Sequence, residues 1–315
     1  MDKPLECIIL SKTLSRLPLC IGSCSAVEIP SYLDNNIPRG CLIAHLALTL
    51  IEMQRISSYF RIPLYNLFTQ YSVEDYSKIN VDSCWKFLLT SSFLHDIGKL
   101  TDQYINRYAT GQDRILHHQV SAVIAKKTLE NIVSEPMALG IAYGILFHHE
   151  AMDWIAVEKS LLYFSYIQRT LSPTRNIIYN LSERRLNKFK ENVRNIFDQC
   201  FDEHLLTESQ HQTLTLMLAR AAQKLIDNRE ISINVTRELS VAKMENPKYL
   251  TPALALYRLL YLTDNRAASA RELYWLELIQ GVDWKRIEDI ARQITNKLAK
   301  RYRYIGLSSI PIRGR

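Results

Sequence analysis

Cys41-Leu42-Ile43-Ala44-His45-Leu46-Ala47-Leu48-Thr49-Leu50-Ile51-Glu52-Met53 decides the fold class. Leu42, Leu46, Thr49/Leu50 and Met53 recur at three- and four-residue spacing, which places them on one face of a helix. Moving outward, Asp82 or Ser83 can cap a second helix running to about Asp96, and a third is expected over Gln119–Asn131. Ser134-Glu135-Pro136 reads as a helix start that reaches His148–His149, with Ser as cap and Pro in the first turn. Further helices are expected at 154–170, 183–204, 207–227, 252–266, 268–280 and 283–303. Thr207 with Gln210, and Thr251 followed by Pro252, supply start signals for two of them.

Composition agrees. Nine glycines and ten prolines in 315 residues fall below the usual ~7% and ~5%, so tight turns are few and a many-stranded fold is disfavoured. The expected class is all-α. The first forty residues read as irregular, with Pro4, Pro18, Pro30, Pro38 and the turn-like DNNIPRG stretch. Cys7–Leu10 is compatible with a short strand, and Ile231–Thr236 (ISINVT) with a brief extended piece or a linker.

Several function classes drop out. A hydrophobic fraction of 47% and a charged fraction of 23% exclude global disorder. No apolar run reaches the ~18 residues that span a bilayer. The first twenty residues mix acids and bases through their apolar residues, which is not a signal-peptide pattern. Six cysteines are too sparse for a disulfide framework, and Cys20 and Cys24 lack a second pair to close a zinc site. A cytoplasmic protein with buried thiols is the expectation, with no membrane partner.

Charge is concentrated at one end. From Trp284 to Arg315 there are nine bases and two acids, which accounts for the whole net charge of +7. Lys297, Lys300, Arg301 and Arg303 within it are candidate contacts to a nucleic-acid backbone. A solvated helix face with a loose tail is the competing reading.

The chemistry lies in the histidines. Six of the eight fall at four places, His45, His95, His117–His118 and His148–His149, each in or at the end of an apolar stretch. One such His is ordinarily a core residue. Four places are costly to bury separately, since every ring has two nitrogens to satisfy. Neutral imidazole is a common transition-metal ligand, so convergence on metal is the simplest account. Asp96 follows His95 directly. Its two carboxylate oxygens can bridge two ions, the arrangement used for phosphate-ester hydrolysis. Gly98 allows a sharp exit from the helix, and Lys99 brings a cation toward a phosphate.

His45, then His95-Asp96-Ile97-Gly98-Lys99, then Asp264 in YRLLYLTDNRAASAREL resembles the H…HD…D signature of HD metal-dependent phosphohydrolases. With HHQVSA at 117–122 and the His148–His149 pair, the pattern is similar to the HD nuclease of type I CRISPR interference, in the form separate from its helicase. The resemblance covers about residues 41–270. It implies an HD-domain helical bundle over 1–283, with a helical insertion at about 171–245 and a basic C-terminal helix and tail at 284–315. It implies that His45, His95, Asp96 and Asp264 bind one ion, that His117, His148 and His149 bind a second, that Asp96 bridges, and that Lys99 touches the scissile phosphate. His118 is second choice to His117, and Asp227 is the fallback for Asp264, because the stretch from His149 to Asp264 is long. Nitrogen and oxygen donors suit Mn, Fe, Co or Ni, with Mg usable. The implied substrate is single-stranded or opened DNA, and the implied partners are a separate helicase subunit and an RNA-guided surveillance complex. The chain has no GxxxxGK[ST] loop of its own. A nucleotide phosphohydrolase and a non-catalytic helical scaffold are the competing functions.

Overall fold

The computed structural model describes residues 30–34, 37–71, 81–105, 117–130, 134–148, 177–180, 182–187, 189, 212, 216, 223, 230–240, 243 and 246–280. In chain order the elements are β1 (Pro30–Asp34), β2 (Ile37–Cys41), α1 (Leu42–Tyr59), α2 (Arg61–Tyr71), α3 (Val81–Leu94), a 3-10 turn (Ile97–Leu100), α4 (Asp102–Ile105), α5 (His117–Leu129), α6 (Glu135–Phe147), β3 (Ile177–Asn180), β4 (Glu230–Ile233), α7 (Val235–Glu238) and α8 (Pro247–Gln280). The fold is all-α, with two short antiparallel ladders, β1–β2 and β3–β4. No described helix is long and apolar enough to cross a membrane.

Helix α6 is the centre. Its sequence, EPMALGIAYGILF, has one charged residue, and everything from Pro136 to Phe147 is buried. A helix apolar on all sides has to be covered on all sides. α8 and α5 pack along it, while α1 packs on α8 and α3. The apolar face expected on α1 is seated in this core, with Leu42, Leu46, Leu50 and Met53 each 0% exposed.

Close approach of α8 to α6 depends on small residues. A Cβ added to Gly144 would stand 2.8 Å from Leu256 Cδ2 and 2.9 Å from its Cγ. Gly144→Ala gains about 1 kcal/mol of helix propensity against an overpacking cost of ~1–3 kcal/mol. The net expectation is a lower urea midpoint; an unchanged or raised midpoint would show that Leu256 swings clear.

Five expectations are corrected. In the first forty residues, expected to be irregular, 30–34 pairs antiparallel with 37–41, Pro30 opposite Cys41 and Asp34 opposite Ile37. α3 ends at Leu94 rather than near Asp96, and α5 begins at His117 rather than Gln119. Ser134 occupies the cap position of α6 without a side-chain capping bond. The two helices expected at 252–266 and 268–280 are the single helix α8, with Pro252 inside it. Its start uses the same cap-then-proline signal five residues earlier. Asn246 Oδ1 accepts from Lys248 N at 3.0 Å, and Pro247 takes the first helical position, where its missing N–H costs nothing.

The extended reading of ISINVT holds for β4, which pairs with β3 from Ile177 opposite Ile233 to Asn180 opposite Glu230. These strands bring together the two ends of residues 181–229. Described residues in the expected helices 183–204 and 207–227 (183–187, 189, 212, 216 and 223) are helical. The expected strand at Cys7–Leu10 and the expected helices at 154–170 and 283–303 lie outside the described residues.

Candidate metal centre

Helix α1 carries His45, α3 leads into His95 and Asp96, α5 opens with His117, α6 is capped by His148, and α8 carries Asp264. Asp96 has left the helix: its backbone, at φ −114 and ψ 8, lies in the bridge region where active-site residues recur. That resolves the difficulty of adjacent side chains diverging by ~100° on a helix. His95 and Asp96 point to one place because the helix stops between them and the preceding turn.

Each oxygen of Asp96 faces its own set of groups. Oδ2 is 3.2 Å from His45 Nε2 and 3.6 Å from His95 Nε2. Asp264 Oδ1 closes this side at 2.9 Å from His45 Nε2 and 3.4 Å from His95 Nε2. Oδ1 is 3.0 Å from His117 Nε2 and 3.6 Å from His148 Nε2. Two donor sets result, His45/His95/Asp96/Asp264 and Asp96/His117/His148, each with its ligand atoms within 4.8 Å of one another. Either could hold a metal ion. Lys99 Nζ lies 2.5 Å from Asp96 Oδ2, so one cation already accompanies this carboxylate.

Two rings are fixed from behind. His95 Nδ1 lies 2.6 Å from Ser92 O, and His148 Nδ1 lies 2.5 Å from Ile145 O. A carbonyl only accepts, so each Nδ1 donates, and each Nε2 is turned to the Asp96 side. This is how ligand histidines are usually oriented. His45 Nε2, His95 Nε2 and Asp96 Oδ1 are buried and make no hydrogen bond. Groups of that kind are normally satisfied in a folded protein; a cation in the first donor set would satisfy the two ring nitrogens, and one in the second would satisfy the Asp96 oxygen.

The protonation states suit cation binding. Burial alone would raise Asp96, but Lys99 and the surrounding histidines hold it well below the ordinary carboxylate value. Asp264, against the same burial penalty, is held down by His45 and His95. Burial and the Lys99 charge push His117 down to about 4, against the pull of Asp96. His118 is lowered by burial and by its neighbours His117 and His148.

A folded His117 that resists its proton makes stability pH-dependent. Its contribution is complete above the unfolded value of ~6.5 and is lost as pH falls toward about 4, because the unfolded chain takes up a proton that the folded chain refuses. His118 acts with the same sign. The depressed acids act only below their ordinary value of 3.8, outside this window. Chelator-treated protein is therefore expected to lose on the order of 3 kcal/mol between pH 6.5 and 4, and His117→Gln should flatten the profile. An equally steep profile in that variant would place the titration elsewhere.

The structure brings His45, His95, Asp96, His117, His148 and Asp264 together. His118 is in neither donor set; its ring lies 5.8 Å from that of His117 and 6.2 Å from that of His148. Asp264, expected at a helix end, sits in the middle of α8. His149, Asp227 and the basic residues Lys297, Lys300, Arg301 and Arg303 lie outside the described residues.

Three supports escaped the sequence reading. Gly98 N donates to Ser121 Oγ at 2.9 Å, tying the 3-10 turn to α5. Tyr104 places its ring edge-on to His117 at 5.3 Å. Arg266 Nε donates to Glu52 Oε2 at 2.6 Å, joining α8 to α1. Only Gly98 left a readable signal, since a glycine after a helix end marks a close approach.

Compared with protein-family models and with curated proteins, the chain finds no match.

Proposed function

We propose that this chain is an HD-type metal-dependent phosphodiesterase, a nuclease that cuts single-stranded or opened DNA. One observation carries the reading: a buried carboxylate whose two oxygens face two separate His-containing donor sets. That is the disposition needed to bridge two cations, and it occurs on residues in the H…HD…D order. A pair of divalent cations supplies Lewis acidity, a lowered pKa for water and charge for the phosphoryl oxygens. His45, His95, Asp96 and Asp264 would hold one, and Asp96, His117 and His148 the other. Mn, Fe, Co and Ni suit the mixed donors.

The chain's own residues do the rest. Ser92 O and Ile145 O accept from Nδ1 of His95 and His148, which fixes both rings with Nε2 turned to the Asp96 side. Lys99 keeps Asp96 ionised and brings a positive charge to the place where a phosphate would sit. Burial of His45, His95, Asp96 and His148 at 0–1% exposure excludes bulk water, which strengthens every charge interaction in the site. Lys99→Ala should lower cleavage less than Asp96→Asn, because every ligand of both donor sets stays in place, while its break of the buried pair with Asp96 shows in stability.

The cytoplasmic setting, the basic tail as a strand guide, a separate helicase and an RNA-guided complex belong to the same proposal. They are supported by the resemblance and by the charge concentrated after Trp284. The test compares a labelled single strand, an opened duplex, a blunt duplex and dNTPs, with one metal and no ATP. Chelator-sensitive cutting of the first two is expected. Faster dNTP hydrolysis would make the chain a nucleotide phosphohydrolase, and no hydrolysis by the metal-loaded protein would leave a scaffold.

A further inference from the structure

We infer that the Glu52–Arg266 ion pair is a register lock that sets the His45–Asp264 edge of the metal centre. This rests on the metal-binding reading above. Arg266 Nε and Glu52 Oε2 are 2.6 Å apart, with the side chains 9% and 3% exposed. The pair joins two helices that are far apart in sequence, and each contributes a ligand to the same donor set: His45 from α1 and Asp264 from α8.

The geometry shows why a lock is useful. Glu52 follows His45 by seven residues, two turns on the same helix face and ~10.5 Å along the axis. Arg266 is two residues past Asp264. α1 packs along α8, and most buried side chains of the two helices are apolar, among them Leu42, Leu46, Met53 and Ile56 on α1 and Leu259, Leu260 and Ala267 on α8. Such surfaces tolerate repacking with little loss of stability while losing uniqueness. His45 Nε2 and Asp264 Oδ1, at 2.9 Å, tolerate no such slippage, because metal ligands must be placed to ~0.2 Å. A buried ion pair is a poor source of stability, and setting register is its best-attested use. Among the described residues, Lys99 and Arg266 are the buried cations; the first serves Asp96 directly, and the second acts through the helix.

The role is one of positioning, and stability and metal affinity should therefore separate. The full chain, stripped and reloaded, is titrated with Mn(II) by calorimetry alongside a urea melt. Glu52→Leu/Arg266→Met replaces the pair by apolar groups, a change that is often neutral or stabilising. The double variant is expected to keep or raise its urea midpoint while the tighter Mn(II) site weakens by about tenfold or more. Arg266→Lys keeps the charge and should stay nearer wild type than the double variant. Wild-type Mn(II) affinity in a folded double variant would overturn the register lock and leave the metal reading standing. A wild-type chain that binds no Mn(II) would overturn both. Should the double variant not fold, Glu52→Gln is read the same way: a threefold or greater loss of affinity supports the lock, and an unchanged affinity rejects it.

Discussion

Asp96→Asn is expected to lower metal-dependent phosphodiester cleavage by roughly 10³-fold, equivalent to about 4 kcal/mol of transition-state stabilisation. Among the described residues, no other side chain belongs to both donor sets. An amide keeps the size of the carboxylate and an oxygen for Lys99, but it cannot offer an anionic oxygen to each side. Both ions would lose a ligand and a neutralising charge in one substitution, and two-cation chemistry fails when either is displaced. Asn is the cleaner replacement. Ala would also remove the buried partner of Lys99 at 2.5 Å, and breaking a buried pair by deleting one member costs ~3–5 kcal/mol. Loss of cleavage by the Ala variant could then be loss of fold. The measurement is single-turnover cleavage of a labelled strand, with circular dichroism and metal content on the same sample. A folded Asp96→Asn protein that cuts at near wild-type rate would remove this centre as the site of chemistry.

Legibility in the sequence followed the range of the forces involved. Leu42, Leu46, Leu50 and Met53 could be read as a helix face because their spacing is local, and all four are buried. The start of α8 could not be settled in the same way. Asn246-Pro247 and Thr251-Pro252 satisfy one local rule equally well, and long-range packing decided between them. Pro252 lies against α6, its Cγ 3.5 Å from where a Cβ on Gly140 would be. The β1–β2 pairing was missed because PSYLD and IPRGC are short, carry prolines and barely alternate.

The convergence of the histidine places could be read from residue types, while Asp264 and the assignment of ligands were implied by the resemblance. Their division between the two oxygens of Asp96 was implied by the resemblance too; the geometry behind it, with α3 stopping at Leu94, was not legible. The locks on His95 and His148 were equally hidden, since both partners are backbone carbonyls three residues back, and every residue has a carbonyl. Nothing local marks Glu52 or Arg266, which the fold brings together from 214 positions apart.

Gly98→Ala is expected to damage stability and cleavage together, through contacts that no rotamer change can relieve. A Cβ at this position would stand 2.2 Å from the carbonyl oxygen of His117 and 3.1 Å from its carbonyl carbon, with Val120 Cβ at 3.0 Å. The nearest obstacle is backbone in the first turn of α5, so either the 3-10 turn or the helix has to move. Movement breaks the bond from Gly98 N to Ser121 Oγ. It also separates Asp96 from His117, whose Nε2 is 3.0 Å from Oδ1. Overpacking costs ~1–3 kcal/mol, and a buried N–H left without its acceptor adds ~1–3 kcal/mol. Ser121→Ala separates the two effects: it removes the hydrogen bond and leaves the glycine contact intact, so it should cost only the second amount and keep most of the cleavage. Urea midpoints and single-turnover rates for the two variants check the ordering. If Gly98→Ala matched wild type in both, the turn would not need to lie against α5, and the placement of Asp96 between its two donor sets would have to come from α3 alone.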